Sequence, residues 1–317
     1  ISYADTHTLA IGSYIDTNER HDFVGSIHSV QLWGRVPKQK DFAERWREAQ
    51  PGLPARTVGF PEEVLEGWPT FGGDVLRSNA TAQEISGKPR LAWTHTPLTK
   101  PSPSWGDPAD GSHWQKLESM AARGVHDRAF FPVSRAGRVF YASSSDDGVH
   151  ALDAASGERL WTFYTEGPVR LAPFVGEDQI WFGSDDGLLY CLDVKSGALI
   201  WRKSLAPEER RIPSNGKLIS PWPVRTGVAV ANGVLYATAG LFPEQGCFAF
   251  ALDAMSGETL WRQTLDKSVS PQGYLLLSPT RLYVPSGRAT PFALDRVDGA
   301  WKGQFGGPGG TWALLTD

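Results

Sequence analysis

Cysteine is scarce in this sequence. Only Cys191 and Cys247 occur among 317 residues, which excludes a disulfide framework, a CxxC metal site and a CxxCH haem attachment. The two can pair or stay free, and two free, buried thiols are the preferred reading. Long apolar runs are missing too: no stretch reaches the roughly eighteen residues that a membrane-spanning helix needs. Nor is there an excess of positive charge. Lys and Arg number 31 against 35 Asp and Glu, a net charge of -4, which argues against a general binder of nucleic acid or anionic membranes. The seven histidines show no HxH or HxxxH spacing, and no GxSxG, phosphate loop or GxGxxG stands out. The chain starts at Ile1 without a signal peptide, so it reads as a fragment with any export signal upstream.

What is abundant is Gly (34), Pro (23) and Trp (13), the composition of a turn-dense protein with bulky packing residues. The ten residues LDAASGERLW at 152–161 return as LDVKSGALIW at 192–201 and LDAMSGETLW at 252–261, then as the shorter LDRVDGAW at 294–301. The repeat tryptophans Trp161, Trp201, Trp261 and Trp301 are therefore 40, 60 and 40 residues apart, and self-similarity near 40 residues points to propellers, solenoids or arrays. Within one unit, GRVFYASS, GVHALDA and ERLWTFYT are short β-branched and aromatic runs separated by turn clusters, which reads as hairpin-linked strands. A further strand precedes each set, in PVRLAPFV, PVRTGVAVA and QGYLLLS. Four short antiparallel strands per period match a propeller blade. The expected fold is all-β, a partial β-propeller of four-stranded blades.

The repeat residues have structural jobs in that fold. Asp153, Asp193 and Asp253 are placed to accept backbone N–H groups in Asx turns. Gly157, Gly197 and Gly257 supply the positive φ that such turns need. Trp161, Trp201 and Trp261 offer large apolar faces to fill the gap between blades, with an indole N–H to satisfy. SDDG at 145–148 and 184–187 reads as a hairpin turn rather than a calcium loop, since two carboxylates fall short of the six to eight oxygens that calcium takes.

The stretches YASSSDDGVHALDAASGERLWTF and WFGSDDGLLYCLDVKSGALIW resemble repeats of the PQQ-like β-propeller family, which includes quinoprotein alcohol dehydrogenases and the propeller lipoprotein of outer-membrane assembly. WPTFGGDVLRSNAT at 68–81 resembles the lead-in to a first blade, so the resemblance covers about residues 67–317. It implies PQQ as a cofactor and a periplasmic or extracellular location, in a bacterial exported protein. The dehydrogenases of that family show an adjacent Cys–Cys pair, a calcium cluster of Glu, Asn and Asp, and a catalytic Asp, none of which has a match here. No cofactor, metal or catalytic residue is assigned from the residues themselves.

Residues 1–36 differ. LAIGSYID and HDFVGSIHSVQLWGRV alternate apolar and polar positions and resemble the last strands of a laminin-G or concanavalin-like jelly roll. Residues 37–66 read as a short helix from Pro37, with Phe42, Ala43, Trp46 and Ala49 on one face, and a proline-rich linker.

One constellation suggests a ligand site. Arg170, Arg225 and Gln272 each stand eleven residues before an aromatic of the following strand (Trp181, Tyr236 and Tyr283), and Arg128 takes the same place before Tyr141 with one or two extra residues. First strands of blades line the central channel, so these four residues are expected around one mouth, where guanidinium forks can receive a carboxylate or phosphate. The competing reading is that they form salt bridges or cap loops. The irregular stretches 94–127 and 202–221 emerge on the same face and bring Trp105, Trp114 and Trp222, the last placed either to stack on a planar ligand or to pack its loop. The expected function is a non-enzymatic exported binding or scaffolding module for an anionic or carbohydrate ligand or a protein partner, with no nucleic-acid partner. The alternatives are a PQQ-dependent oxidoreductase and an outer-membrane assembly factor.

Overall fold

The structure, a computed structural model, describes residues 13–15, 20–22, 67–81, 88–104, 129–287, 289–306, 309–310, 313 and 315. The chain divides into two compact units, Ile1–Phe60 and Pro61–Asp317. The first unit shows one antiparallel hairpin, β1 (Ser13–Ile15) with β2 (Arg20–Asp22), in which Tyr14 faces His21. The rest of the jelly-roll reading, the helix expected from Pro37 and the proline-rich linker lie outside the described residues.

Among its described residues the second unit holds four four-stranded antiparallel sheets, each a meander in chain order, which are propeller blades. Blade I is β3 (Val133–Arg135), β4 (Arg138–Ser143), β5 (Gly148–Asp153) and β6 (Arg159–Tyr164). Blade II is β7 (Phe174–Val175), β8 (Gln179–Gly183), β9 (Leu188–Asp193) and β10 (Leu199–Ser204). A separate hairpin follows, β11 (Ile212–Ser214) and β12 (Lys217–Ile219), and then a short strand β13 (Thr226–Gly227). Blade III is β14 (Ala229–Ala231), β15 (Val234–Ala239), β16 (Phe248–Asp253) and β17 (Thr259–Thr264). Strand β18 (Gly273–Tyr274) pairs in parallel with β13, and blade IV is β19 (Leu276–Leu277), β20 (Arg281–Val284), β21 (Phe292–Asp295) and β22 (Trp301–Gln304).

Burial explains the composition of the strands. The second and third strands of each blade are covered on both faces and read as near-continuous apolar runs, as in β9 (LLYCLD) and β16 (FAFALD). The fourth strands are largely exposed and carry Arg, Lys, Gln and Thr, as β10 and β17 show. Charge on such outer edges discourages pairing with other chains. Cys191 and Cys247 are free and buried, and burial pushes both thiols up to about 12, which keeps them protonated and inert.

The repeat residues tie blade to blade. Asp153 Oδ1 accepts the backbone N–H groups of Ala155 at 3.0 Å and Ser156 at 2.8 Å, and Asp193 and Asp253 repeat the Ser bond. Gly157, Gly197 and Gly257 stand at φ 75, 72 and 72. Gly197 and Gly257 also carry the indole of the preceding blade. A Cβ on Gly197 would lie 2.6 Å from Trp161, and one on Gly257 2.8 Å from Trp201. The indole N–H donates to a carbonyl of the blade it docks on, Trp161 to Val194 and Trp261 to Arg296. Trp93 does the same to blade I, packing on Gly157 and donating to Ala154 O at 2.9 Å. LAWTHTPL thus supplies a docking tryptophan from outside the four blades.

Trp301 is not a member of this series. Trp161, Trp201 and Trp261 pair across the strand with Ala151, Cys191 and Ala251, but Ala293, the equivalent position in blade IV, pairs with Gly303. The turn itself has the length of the others, the Leu of the Leu-Asp pair facing the residue seven positions on in all four blades, but in LDRVDGAW the Trp stands two positions early, opposite Leu294. The spacing of 40 from Trp261 that the sequence shows is therefore not a structural equivalence.

A segment before the blades closes their inner side. Trp68 exchanges backbone hydrogen bonds with Ser134, Val175 N–H donates to Pro69 O, and Leu277 N–H donates to Val75 O. The edges of three first strands are thereby paired. Arg77, 1% exposed, reaches the residues just before the first strands of blades IV and III, its Nε donating to Leu275 O at 3.0 Å and its Nη2 to Val228 O at 3.3 Å, while Nη1 donates to Thr70 Oγ1 of its own segment at 2.6 Å. Burial lowers this guanidinium to about 10, still charged at neutral pH. Phe71 stacks on Tyr274 beside it, 4.1 Å between ring centroids. The lead-in segment thus plugs the inner side of the four blades, and among the described residues the side chains of Arg77, Phe71 and Tyr274 fill that centre.

Candidate functional site

The strand register identifies which residues occupy the mouth. Phe174, Ala229 and Leu276 face Trp181, Tyr236 and Tyr283, so Arg170, Arg225 and Gln272 stand at matching positions four residues earlier. In blade I, Val133 faces Phe140, so the equivalent aromatic is Phe140 rather than Tyr141. The matching position is then Ala129. Arg128 lies outside the described residues, as do Trp105 and Trp114.

Arg170 and Arg225 do converge, and they converge on a carboxylate of the protein. Arg170 Nε donates to Asp185 Oδ2 at 2.6 Å. Arg225 Nε donates to Asp185 Oδ1 at 2.7 Å and its Nη2 to Oδ2 at 2.8 Å, a two-pronged bond. The three residues are 5%, 2% and 0% exposed. Burial would raise the Asp185 carboxyl, but Arg225 and Arg170 outweigh it and hold the group below the usual carboxylate range. This buried triad replaces the anion-receiving ring expected from the sequence. Gln272 is a backbone neighbour, since Gly273 N–H donates to Arg225 O at 3.2 Å, but its side chain turns to Ser270 Oγ at 3.2 Å. Trp222 is 4% exposed, donates Nε1–H to Gln245 O at 2.7 Å and lies under the Arg210 guanidinium at 5.1 Å. It packs its loop and presents no face to a planar ligand.

Asp185 was missed because SDDG reads as a turn. The two copies of that turn have separate uses. In blade II, Asp186 accepts the Tyr190 hydroxyl at 2.6 Å and the Leu188 N–H at 2.8 Å, with its carboxyl raised by burial against these bonds. In blade I, Asp147 (φ 61) receives Lys217 at 2.9 Å. Lys217 stands on the β11–β12 hairpin, and Asn215 of the same hairpin donates to Pro103 O. Arg170 Nη1 donates to Ser102 O at 2.6 Å. Residues 102–103 and 212–219 therefore do meet at the mouth, as a cover tied over the triad. On blade I, His150 bonds Thr162 and Asp146 and stacks on Tyr141, whose hydroxyl meets His95 Nε2 at 3.0 Å. Burial lowers His150, so it is neutral at physiological pH.

PQQ is a planar quinone bearing three carboxylates, so its seat needs open cationic donors and a flat slot. The described residues do not fit it: Arg170 and Arg225 are turned on Asp185, Trp222 is covered, and Phe71, Tyr274 and Arg77 fill the hub. Among the described residues no group of three or more His, Cys, Asp or Glu side chains is placed to hold a metal ion.

Comparison with known proteins gives the fold a context. The chain is 24% identical over 204 residues to 1-butanol dehydrogenase (quinone) of Thauera butanivorans, covering 61% of this chain and 30% of the relative. It is 29% identical over 196 residues to the dehydrogenase subunit of alcohol dehydrogenase (quinone) of Gluconobacter oxydans, covering 56% and 24%. Among solved structures, the quinohemoprotein alcohol dehydrogenase from Comamonas testosteroni superposes with a TM-score of 0.54 at 18% identity, over 78% of this chain and 42% of that one. That likeness concerns the fold. The chain spans less than a third of the length of these two curated relatives. Their names overturn the expectation of a non-enzymatic binding or scaffolding module, since both are quinone-linked alcohol dehydrogenases. The sequence model described as outer membrane protein assembly factor BamB matches residues 105–215 and 185–308, well over half of the sequence, and the chain belongs to this family of PQQ-like repeat propellers.

Proposed function

We propose that the protein is a PQQ-dependent oxidoreductase of the alcohol dehydrogenase type, in which these four blades are scaffold. The observation that supports this reading is the run of quinone-linked alcohol dehydrogenases among its relatives, aligned over more than half of the chain. The buried triad and the filled hub fit the scaffold role: they fix the relative position of blades II and III without offering a reactive group. The periplasm is the proposed location, and no helix among the described residues is long and apolar enough to cross a membrane. The jelly-roll and linker assignments for residues 1–66 stand as proposals.

The family's description favours a second reading, an assembly factor at the outer membrane. Titration calorimetry of the natural gene product with PQQ, with and without calcium, separates the two. The redox reading expects stoichiometric PQQ binding. Absence of binding, together with co-purification of an outer-membrane barrel, would favour the assembly reading.

A further inference from the structure

The early arrival of Trp301 has a counterpart in an open cleft. Between the outer strands of blades III and IV lies a space of about 520 Å³ lined by Gln263, Thr264, Asp266, Ser268, Trp301 and Gln304. Its size falls within the usual range for small-molecule sites. The position that Trp301 fills, opposite the Leu of the LD pair, holds Arg159, Leu199 and Thr259 in the other three blades. Trp301 has thus left the docking series. Gly303 stands in the docking place, and a Cβ there would touch nothing within 4 Å.

The indole is held as a platform. Trp301 stacks on fully buried Phe292 with ring centroids 4.9 Å apart and planes 17° from parallel, yet it remains 42% exposed. Trp93, Trp161, Trp201 and Trp261 each donate Nε1–H to a carbonyl. Trp301 Nε1 meets no acceptor among the described residues. Around it stand two side-chain amides, two hydroxyls and one carboxylate. Asp266 is fixed by accepting the Ser268 N–H at 2.7 Å, and the Ser268 bonds hold it ionised below the usual carboxylate range. No Lys or Arg is among the lining residues, so an anion has nothing to pair with there.

We propose that this cleft is a binding subsite for a neutral polyhydroxylated ligand of sugar-ring size, seated with its C–H face on Trp301. A flat indole takes the apolar face of such a ring, while amides and a carboxylate match the donor and acceptor hydroxyls around its rim. The subsite lies on the outer crevice, away from the Asp185 triad, and is independent of the redox reading.

The test is titration calorimetry of the natural gene product with cellotriose and with maltotriose, repeated on Trp301→Ala, Asp266→Asn and Gln304→Ala. Expected are weak saturable binding of at least one oligosaccharide, an affinity about tenfold lower in Trp301→Ala, a loss in Asp266→Asn, and unchanged melting temperatures. Should Trp301→Ala fail to fold, the Asp266→Asn and Gln304→Ala pair carries the test. Binding of neither sugar, or binding unaltered in these variants, overturns the proposal.

Discussion

Trp161 lies flat against Gly197 of the next blade, where a Cβ would come within 2.6 Å of the indole. One relationship thus explains two repeat positions at once. The glycine is needed for its φ of 72 and for the room its missing side chain leaves, and the tryptophan fills that room.

Substitutions at the two partners should therefore destabilise by different routes. Trp201→Ala removes a docked aromatic and is expected to cost about 3 kcal/mol. Gly197→Ala forces overpacking and is expected to cost about 1–3 kcal/mol. Trp301→Ala, outside the docking series, should cost less than about 1 kcal/mol. Urea unfolding of the three variants checks the order, and a Trp301 variant as damaged as Trp201→Ala would contradict the assignment.

Asp185 carries a pH signature. Its carboxyl is held below the usual range in the folded state, so the unfolded chain takes up that proton first as pH falls. The stability it contributes is complete above an ordinary aspartate pKa of about 3.9 and is lost as the pH drops toward the lower folded value. Asp185→Asn should lose about 3–5 kcal/mol at neutral pH, since it leaves two buried guanidiniums without their carboxylate. The gap between variant and wild type should narrow in acid. Equal gaps at pH values near neutral and near 3 would contradict this account.

Arg77 is expected to be as costly to replace as a large core residue. Arg77→Met preserves bulk but strips donors from the carbonyls of Leu275, Val228, Phe71 and Asp74 and from Thr70 Oγ1. Each buried acceptor left unpaired costs about 1–3 kcal/mol. A loss of at least about 3 kcal/mol in chemical denaturation is predicted, and a neutral variant would show that the lead-in segment does not pin the hub.

Period and turn chemistry were readable along the chain because they are local. The LD pair, the Gly four residues after each repeat Leu-Asp's aspartate and the docking Trp recur at fixed offsets, and the blades followed from them. What escaped depends on register or on distant pairing. Trp301 stands two positions early in a turn of unchanged length, which takes it out of the series while its count from Trp261 stays at 40. Phe140 and Tyr141 are adjacent aromatics, and only strand pairing distinguishes them. The eleven-residue offset correctly brought Arg170 and Arg225 together, but their common partner, Asp185, sat inside a turn motif whose backbone role already accounted for it. Arg77 gave no sign in the sequence of being the hub, because most of its acceptors are backbone carbonyls, one of them 198 residues away.

The central claim is that this propeller belongs to a PQQ-dependent oxidoreductase, and turnover measures it most directly. The natural gene product, supplied with PQQ and calcium, should reduce an artificial electron-acceptor dye when given 1-butanol or ethanol. No reduction should occur without PQQ or without alcohol. A folded protein that gives the same dye signal with and without PQQ across a panel of primary alcohols would contradict it.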